Sequence, residues 1–456
     1  MSQKFMPFSL SMRILLIFII LCFLSKAAFA NISLIRDSEI ESFLQQLSDP
    51  LIKAANLQQR DVKIYIVNDD SINAFVAGGQ NIFINTGLIQ KFTTPDALIG
   101  VIAHEIGHIK AGHLVRASEG LNDAKKTLIL SYLLGVGAIA AGSYDGGSAL
   151  IMGGTHVASR MQQKYTRTQE EAADQYAIKF LDKINYPATG LINLLQYFAS
   201  EFRPYADIID EYALSHPISQ KRIGLIKERS NSKSFSNIAL NQILQPKMNV
   251  ALAKLEGFTA DVDFLLEKYQ ASDDNISKYI LAISNHRRGN IKQAISLLNE
   301  IIESKNYFDL GFLYELRGQF LFEAGMSKES LISYSKAIKI LSDDNSSLAK
   351  ISFADAILAS NILDQKLLEL TLSYLLQAKY YEDFNPQLYL KLAKIYNKIN
   401  KEGESYLALA NYNLLLEEQD KAKKYASKAK EIYKANNNKS GLLRADDMLK
   451  ISIEED

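Results

Sequence analysis

The chain has 456 residues, room for two or three folded units at about 100 to 200 residues each, which excludes a single small module. Hydrophobic residues at 48% and charged residues at 22% lie near the averages of soluble globular proteins, so neither a disordered chain nor a polytopic membrane protein fits. Fifty-one basic residues balance 51 acidic ones, leaving no overall field to attract nucleic acid, and the single cysteine, Cys22, excludes both a disulfide framework and a thiolate metal site. Any metal must be held by His, Asp or Glu.

Residues 1–30 have the layout of an export signal. Lys4 and Arg13 precede an apolar run at 14–24, and Lys26 precedes the small-residue ending Ala28-Phe29-Ala30. That run is 11 residues, short of the roughly 20 that cross a bilayer as a helix. Cleavage after Ala30 is the expectation, leaving a mature chain with 48 basic and 51 acidic residues and no cysteine, whose folding is independent of redox state.

Ile40, Phe43, Leu44, Leu47 and Leu51 repeat at helical spacing and predict a first helix over residues 37–57. Residues 62–67 alternate and are β-branched, and residues 75–84 read as two strand pieces broken at Gly78-Gly79, which predicts a small antiparallel sheet. Thr94 can cap a helix that begins at Pro95 and runs to about residue 114. Residues 127–152 are rich in apolar and small residues and read as a shielded hairpin or a membrane-dipping segment, with the further possibility of a lid over a site. A second long helix is expected over 158–182, ended by Tyr186-Pro187, and a third over 189–203. Ser and Asn cluster at 230–237, which places a domain boundary near residue 235.

Beyond residue 245 every segment reads as helix. Gly289, Ala294, Leu298 and Ile301 recur 36 residues later as Gly325, Ser330, Tyr334 and Ala337, and the small-residue spacing returns at Asp420, Ala422, Ala426 and Ala429. A turn followed by fixed packing positions marks stacked helix pairs similar to degenerate tetratricopeptide repeats.

The chemistry concentrates at His104-Glu105-Ile106-Gly107-His108. Two histidines four apart lie one above the other on a helix, so both imidazoles can reach one Zn²⁺, and Glu105 stands where it can take a proton from an attacking water and pass it to a leaving amine. Val101, Ile102, Ala103 and Ile106 surround the motif, so these polar groups would be costly to bury without a purpose. A catalytic zinc site needs a third protein ligand. Glu170, 62 residues past His108, shares a helix face with Asp174, so one carboxylate can ligate while the other orients a ligand histidine, a task that suits Asp174. Glu171 points about 100° away around the helix and reads as a solvated charge. His113, five residues past His108, lies off the ligand face, and His156 and His286 read as structural or exposed.

These motifs, with Asn73-Ala74-Phe75 and Gly78-Gly79 before them, Thr86-Gly87-Leu88, and Glu170, Ala173 and Asp174 after them, resemble the zinc metallopeptidase family that includes the HtpX heat-shock proteases and the CAAX prenyl endopeptidases, over residues 35–230. With an export signal and a helical-repeat tail, the whole is similar to the periplasmic BepA type. The resemblance implies an α+β zincin-like, mainly helical metallopeptidase domain at 31–235, followed by an all-α tetratricopeptide-repeat solenoid at 236–456. It implies one Zn²⁺ held by His104, His108 and Glu170, with Glu105 as base and Asp174 in support. The expected function is quality control and assembly of outer-membrane proteins in the periplasm, on unfolded or misassembled envelope proteins, with the repeats docking on the β-barrel assembly machinery; a scaffold with a mostly latent site is the alternative. Ser215-His216-Pro217, followed by Arg222, looks like the family's His-Pro segment, so His216 is expected either at the open zinc position or as an oxyanion stabiliser. One departure is Thr166, where the family usually has Ser before Arg167. The strand pieces at 75–84 offer a sheet edge on which an extended substrate can pair.

Overall fold

The computed structural model describes residues 33–113, 167–201, 216, 220–230, 238–304, 307–360 and 362–454. The expected export signal, the apolar segment 127–152, His156 and most of the boundary segment 230–237 lie outside the described residues.

A short strand β1 (Ser33–Ile35) leads into helix α1 (Ser38–Ala54), whose N-terminus is capped by the Asp37 carboxylate accepting from the Ile40 amide. Strands β2 (Lys63–Asn68), β3 (Ala74–Ala77) and β4 (Asn81–Asn85) follow. The glycine turn joins β3 to β4 as an antiparallel hairpin, and β1 pairs antiparallel with β2. The expectation of a wholly antiparallel sheet is corrected here: the order is β1-β2-β4-β3, and β4 lies parallel to β2, Ile64 opposite Ile82 and Ile66 opposite Ile84. The chain places β3 on the outside before β4 returns beside β2, so the strands that alternate most regularly in sequence meet by a crossover. Ile64, Ile66, Val76, Ile82 and Ile84 face the core with α1, while Tyr65, Phe83 and Phe75 stack on the other face.

After α2 (Thr86–Lys91) comes α3 (Pro95–Lys110), with proline in its first turn as expected, although Thr94 makes no side-chain capping bond. Every residue of α3 from Ala97 to His108 is buried, which makes it the central helix of the domain. Helices α4 (Arg167–Lys183), α5 (Thr189–Glu201) and α6 (Gln220–Ser230) complete this unit. The two hydroxyl and amide groups of Tyr186 and Asn241 converge on the Asp96 carboxylate and tie the start of α3 to the next helix, α7 (Ile238–Thr259).

From α7 onward the chain is all-α. It runs through α8 (Val262–Tyr269), α9 (Asn275–Arg287), α10 (Ile291–Glu303), α11 (Leu310–Glu323), α12 (Ser327–Ile340), α13 (Ser347–Ala359), α14 (Gln365–Ala378), α15 (Pro386–Lys398), α16 (Glu402–Leu415), α17 (Gln419–Ala435) and α18 (Lys439–Glu454), and from α9 each helix packs on its successor. Gly289 and Gly325 have positive φ two residues before α10 and α12, and the repeated positions Ala294, Leu298, Ile301, Ser330, Tyr334 and Ala337 are all buried. The same left-handed turn recurs before α16, α17 and α18 at Asn400, Glu417 and Asn437, which is why the glycine signal of the repeat fades along the chain.

The all-α segment holds the preceding unit by its first corner. Lys254 of α7 reaches Asp37 at 2.8 Å and Glu39 at 3.1 Å, Tyr279 of α9 donates to Glu39 at 2.7 Å, and Ser38 donates to Glu315 of α11 at 2.7 Å. Arg36 forms a two-pronged pair with Glu382 at 2.7 and 3.0 Å, and Lys63 at the head of β2 pairs with Asp383 at 3.1 Å.

Candidate metal centre

The helical period places His104 and His108 on one face of α3, and Glu170 comes to them because α3 and α4 pack at close range. A Cβ added at Gly107 would lie 2.5 Å from the Ala173 carbonyl oxygen, so the glycine inside the motif is what lets α4 approach. The ring nitrogens His104 Nε2 and His108 Nε2 are 3.1 Å apart; Glu170 Oε2 lies 3.4 Å from the first and its Oε1 3.3 Å from the second. His216 adds Nδ1 at 3.1 Å from Glu170 Oε1 and 3.4 Å from His104 Nε2. All four side chains are fully buried.

This donor set fits zinc. A tetrahedron with ligand bonds of roughly 2.0 to 2.1 Å has edges of roughly 3.3 to 3.4 Å, close to the separations seen here, and two or three imidazoles with one carboxylate are ligands that zinc favours. The electrostatics agree. Burial alone would lower the proton affinity of His104, yet Asp174 and Glu170 outweigh it and raise its pKa to about 10, so the centre attracts positive charge. Burial pushes Glu170 up, but His216, His104 and His108 hold it well below its ordinary value, an ionised ligand. Burial drives His108 down to about 3, which keeps it neutral, the form that binds metal.

Glu105 is not one of the four converging groups. Its carboxylate is fully buried beside them, accepts no hydrogen bond from the described residues, and has its pKa raised by burial; His216 Nε2 lies 3.7 Å from its Oε1. A buried, unbonded carboxylate with raised proton affinity is suited to take up and release a proton. Asp174 stands behind His104, its Oδ1 3.0 Å from Nδ1. Glu171 lies outside, paired with Lys221 at 2.8 Å. His286 is remote from the centre, stacked on Phe320 with ring centroids 4.0 Å apart.

Two residues carry more than their sequence positions indicated. Arg222, in α6, is buried and binds two acidic groups of α4, with Nη1 2.7 Å from Glu170 Oε2 and Nε 2.7 Å from Asp174 Oδ2. It holds Asp174 below its ordinary pKa against burial. The only hint was its place six residues after His216. His113, which lies off the ligand face as expected, contacts the far side of His108, with Nδ1 to Nδ1 at 3.0 Å.

Residues 36–230 match the model of peptidase family M48. Among relatives, the chain is 26% identical over 279 residues to the β-barrel assembly-enhancing protease of Yersinia pestis, covering 60% of this chain and 57% of that one. It is 26% identical over 200 residues to the protein of the same name in Escherichia coli K12, covering 43% of this chain and 40% of that one. These matches thus span between two-fifths and three-fifths of those relatives' length. A solved tetratricopeptide-repeat protein, described as having an unusual peptide-binding site, aligns with 41% of this chain and 93% of its own at 14% identity and a TM-score of 0.31.

Proposed function

We propose that this protein is a zinc metalloendopeptidase of the cell envelope that acts in the periplasm on unfolded or misassembled outer-membrane proteins, with its repeats engaging the β-barrel assembly machinery. The observation that carries the reading is the convergence of His104, His108, Glu170 and His216 with Glu105 alongside, within a family M48 domain. The named role of the relatives in β-barrel assembly supports the substrate class. When bound, zinc supplies a Lewis acid for the scissile carbonyl and for water. The chain does the rest: Glu105 takes the proton of the attacking water and delivers it to the departing amine, Asp174 and Arg222 keep His104 and Glu170 in place, and the buried setting excludes bulk water. Strand β3 is an outer strand of the sheet, so an extended substrate can pair along it beside the centre. The test is cleavage of casein by the zinc-loaded full chain, lost on chelation and restored by zinc. Zinc uptake without cleavage would point to the scaffold reading, and failure to hold zinc would sink the site.

The position of His216 favours a resting enzyme that is closed. Its ring lies between the ligands and the sheet edge, with Nε2 3.3 Å from the Ala74 carbonyl and Nδ1 among the metal-ligating atoms. It therefore covers both the fourth coordination position and a carbonyl on the strand that a substrate would use. The expected result for His216→Ala is a several-fold rise in casein cleavage with zinc retained by the other three ligands. A large fall in turnover with zinc retained would instead assign His216 to oxyanion stabilisation.

A further inference from the structure

We propose that His113 is a positioning residue for the metal centre, accepting a hydrogen bond from His108 Nδ1 and thereby locking His108 in the tautomer that offers Nε2 to the metal. The inference rests on the reading of His108 as a ligand.

The argument starts from the two ends of the His108 ring. Nε2 faces Glu170 Oε1 at 3.3 Å and His104 Nε2 at 3.1 Å, so it is the atom that points into the centre. A neutral imidazole carries one proton, and a ligating Nε2 must present its lone pair, which leaves the proton on Nδ1. That proton meets His113 Nδ1 at 3.0 Å, with the two rings 5.1 Å apart at 67°. His113 must then accept through Nδ1 and carry its own proton on Nε2. The His113 side chain is 4% exposed, so water does not compete readily for the His108 proton.

On a continued helix, a residue five past His108 would turn away from it. The chain does not continue as a helix. Ala111 closes α3 by donating to the Gly107 carbonyl, Gly112 donates to the Ile109 carbonyl, and Gly112 takes φ of +65°, a left-handed conformation that folds the backbone round. This turn returns His113 beneath His108. The two ligand histidines are thus braced in different ways: His104 by the anionic Asp174 at 3.0 Å and His108 by a neutral imidazole. Groups that orient a ligand imidazole typically affect metal affinity by about 10- to 100-fold.

The experiment uses the full chain and compares His113→Leu, which fills the space without an acceptor, with His113→Asn, whose Oδ1 lies near the position of the histidine Nδ1. Zinc affinity is measured by competition with a chromophoric chelator, the His108 ring tautomer by nitrogen-15 NMR of the zinc-loaded protein, and folding by the urea midpoint of the metal-free forms. The expected result is a fall of about 10- to 100-fold in zinc affinity for His113→Leu, loss of the single Nδ1–H tautomer of His108, and recovery of both in His113→Asn. Wild-type affinity in His113→Leu overturns the proposal. So do equal losses in both variants that follow the urea midpoint, because they would show packing without orientation. If the wild type itself holds no zinc, it is the ligand reading that fails.

Discussion

Glu105→Gln is expected to abolish proteolysis while leaving zinc in place. The amide fits the space of the carboxylate but cannot take a proton from water. Removing a general base of this kind costs roughly 10² to 10⁴ in turnover, or about 3 to 5 kcal/mol in the barrier. Metal content should stay at the wild-type level because Glu105 is outside the group of converging donors. The variant should not destabilise the fold either, since the carboxylate accepts no hydrogen bond from the described residues and is raised in pKa by burial, so a neutral amide replaces a buried acid that those residues do not engage. Casein turnover and zinc content measured on the same preparation decide the matter: cleavage that survives in Glu105→Gln rules out its role as base, and loss of zinc would make it a ligand.

The metal centre was legible where the helical period alone sets the geometry. His104 and His108 lie one turn apart on α3, and Glu170 and Asp174 one turn apart on α4, so spacing was enough to place each pair on a face. What spacing does not contain is the approach of two helices or the course of the chain after a helix stops. The contact of His113 with His108 depends on the left-handed turn at Gly112, and the grip of Arg222 on Glu170 and Asp174 depends on how α6 packs against α4. The direction of β4 was misread because strand order is decided by the crossover through β3, to which local alternation is blind. In the repeats, glycine marked two turns, whereas Asn400, Glu417 and Asn437 adopt the same conformation without the residue that would announce it. The charged side chains at the junction with the repeats were the least legible. Lys254, Glu39 and Glu315 look like surface residues in sequence, and their partners lie more than 200 residues away in the chain.

That junction gives the second large effect. Lys254→Met is expected to destabilise the full chain by about 3 to 5 kcal/mol, because it leaves Asp37 and Glu39 facing one another without their cation. Lys254 is 4% exposed, its Nζ sits between the two carboxylates at 2.8 and 3.1 Å, and the same carboxylates raise its proton affinity against burial. Glu39 is already raised by burial, with Lys254 the largest opposing influence, so loss of the lysine drives it further toward the neutral acid. Adding Glu39→Gln to Lys254→Met should restore part of the loss, since a neutral amide can still accept from Tyr279, which now donates to Glu39 at 2.7 Å. A urea midpoint unchanged in Lys254→Met would show that the cluster contributes nothing to the docking of the two units. Glu315 adds a pH dependence of known sign. Burial raises its pKa from 4.5 to about 8, despite Lys254 and the bond from Ser38, so the folded state binds its proton more tightly than the unfolded chain does. The corresponding stabilisation is complete below about pH 4.5 and is lost as pH rises through about 8. The midpoint should therefore fall between pH 6 and pH 9, and Glu315→Gln, neutral throughout, should flatten that fall.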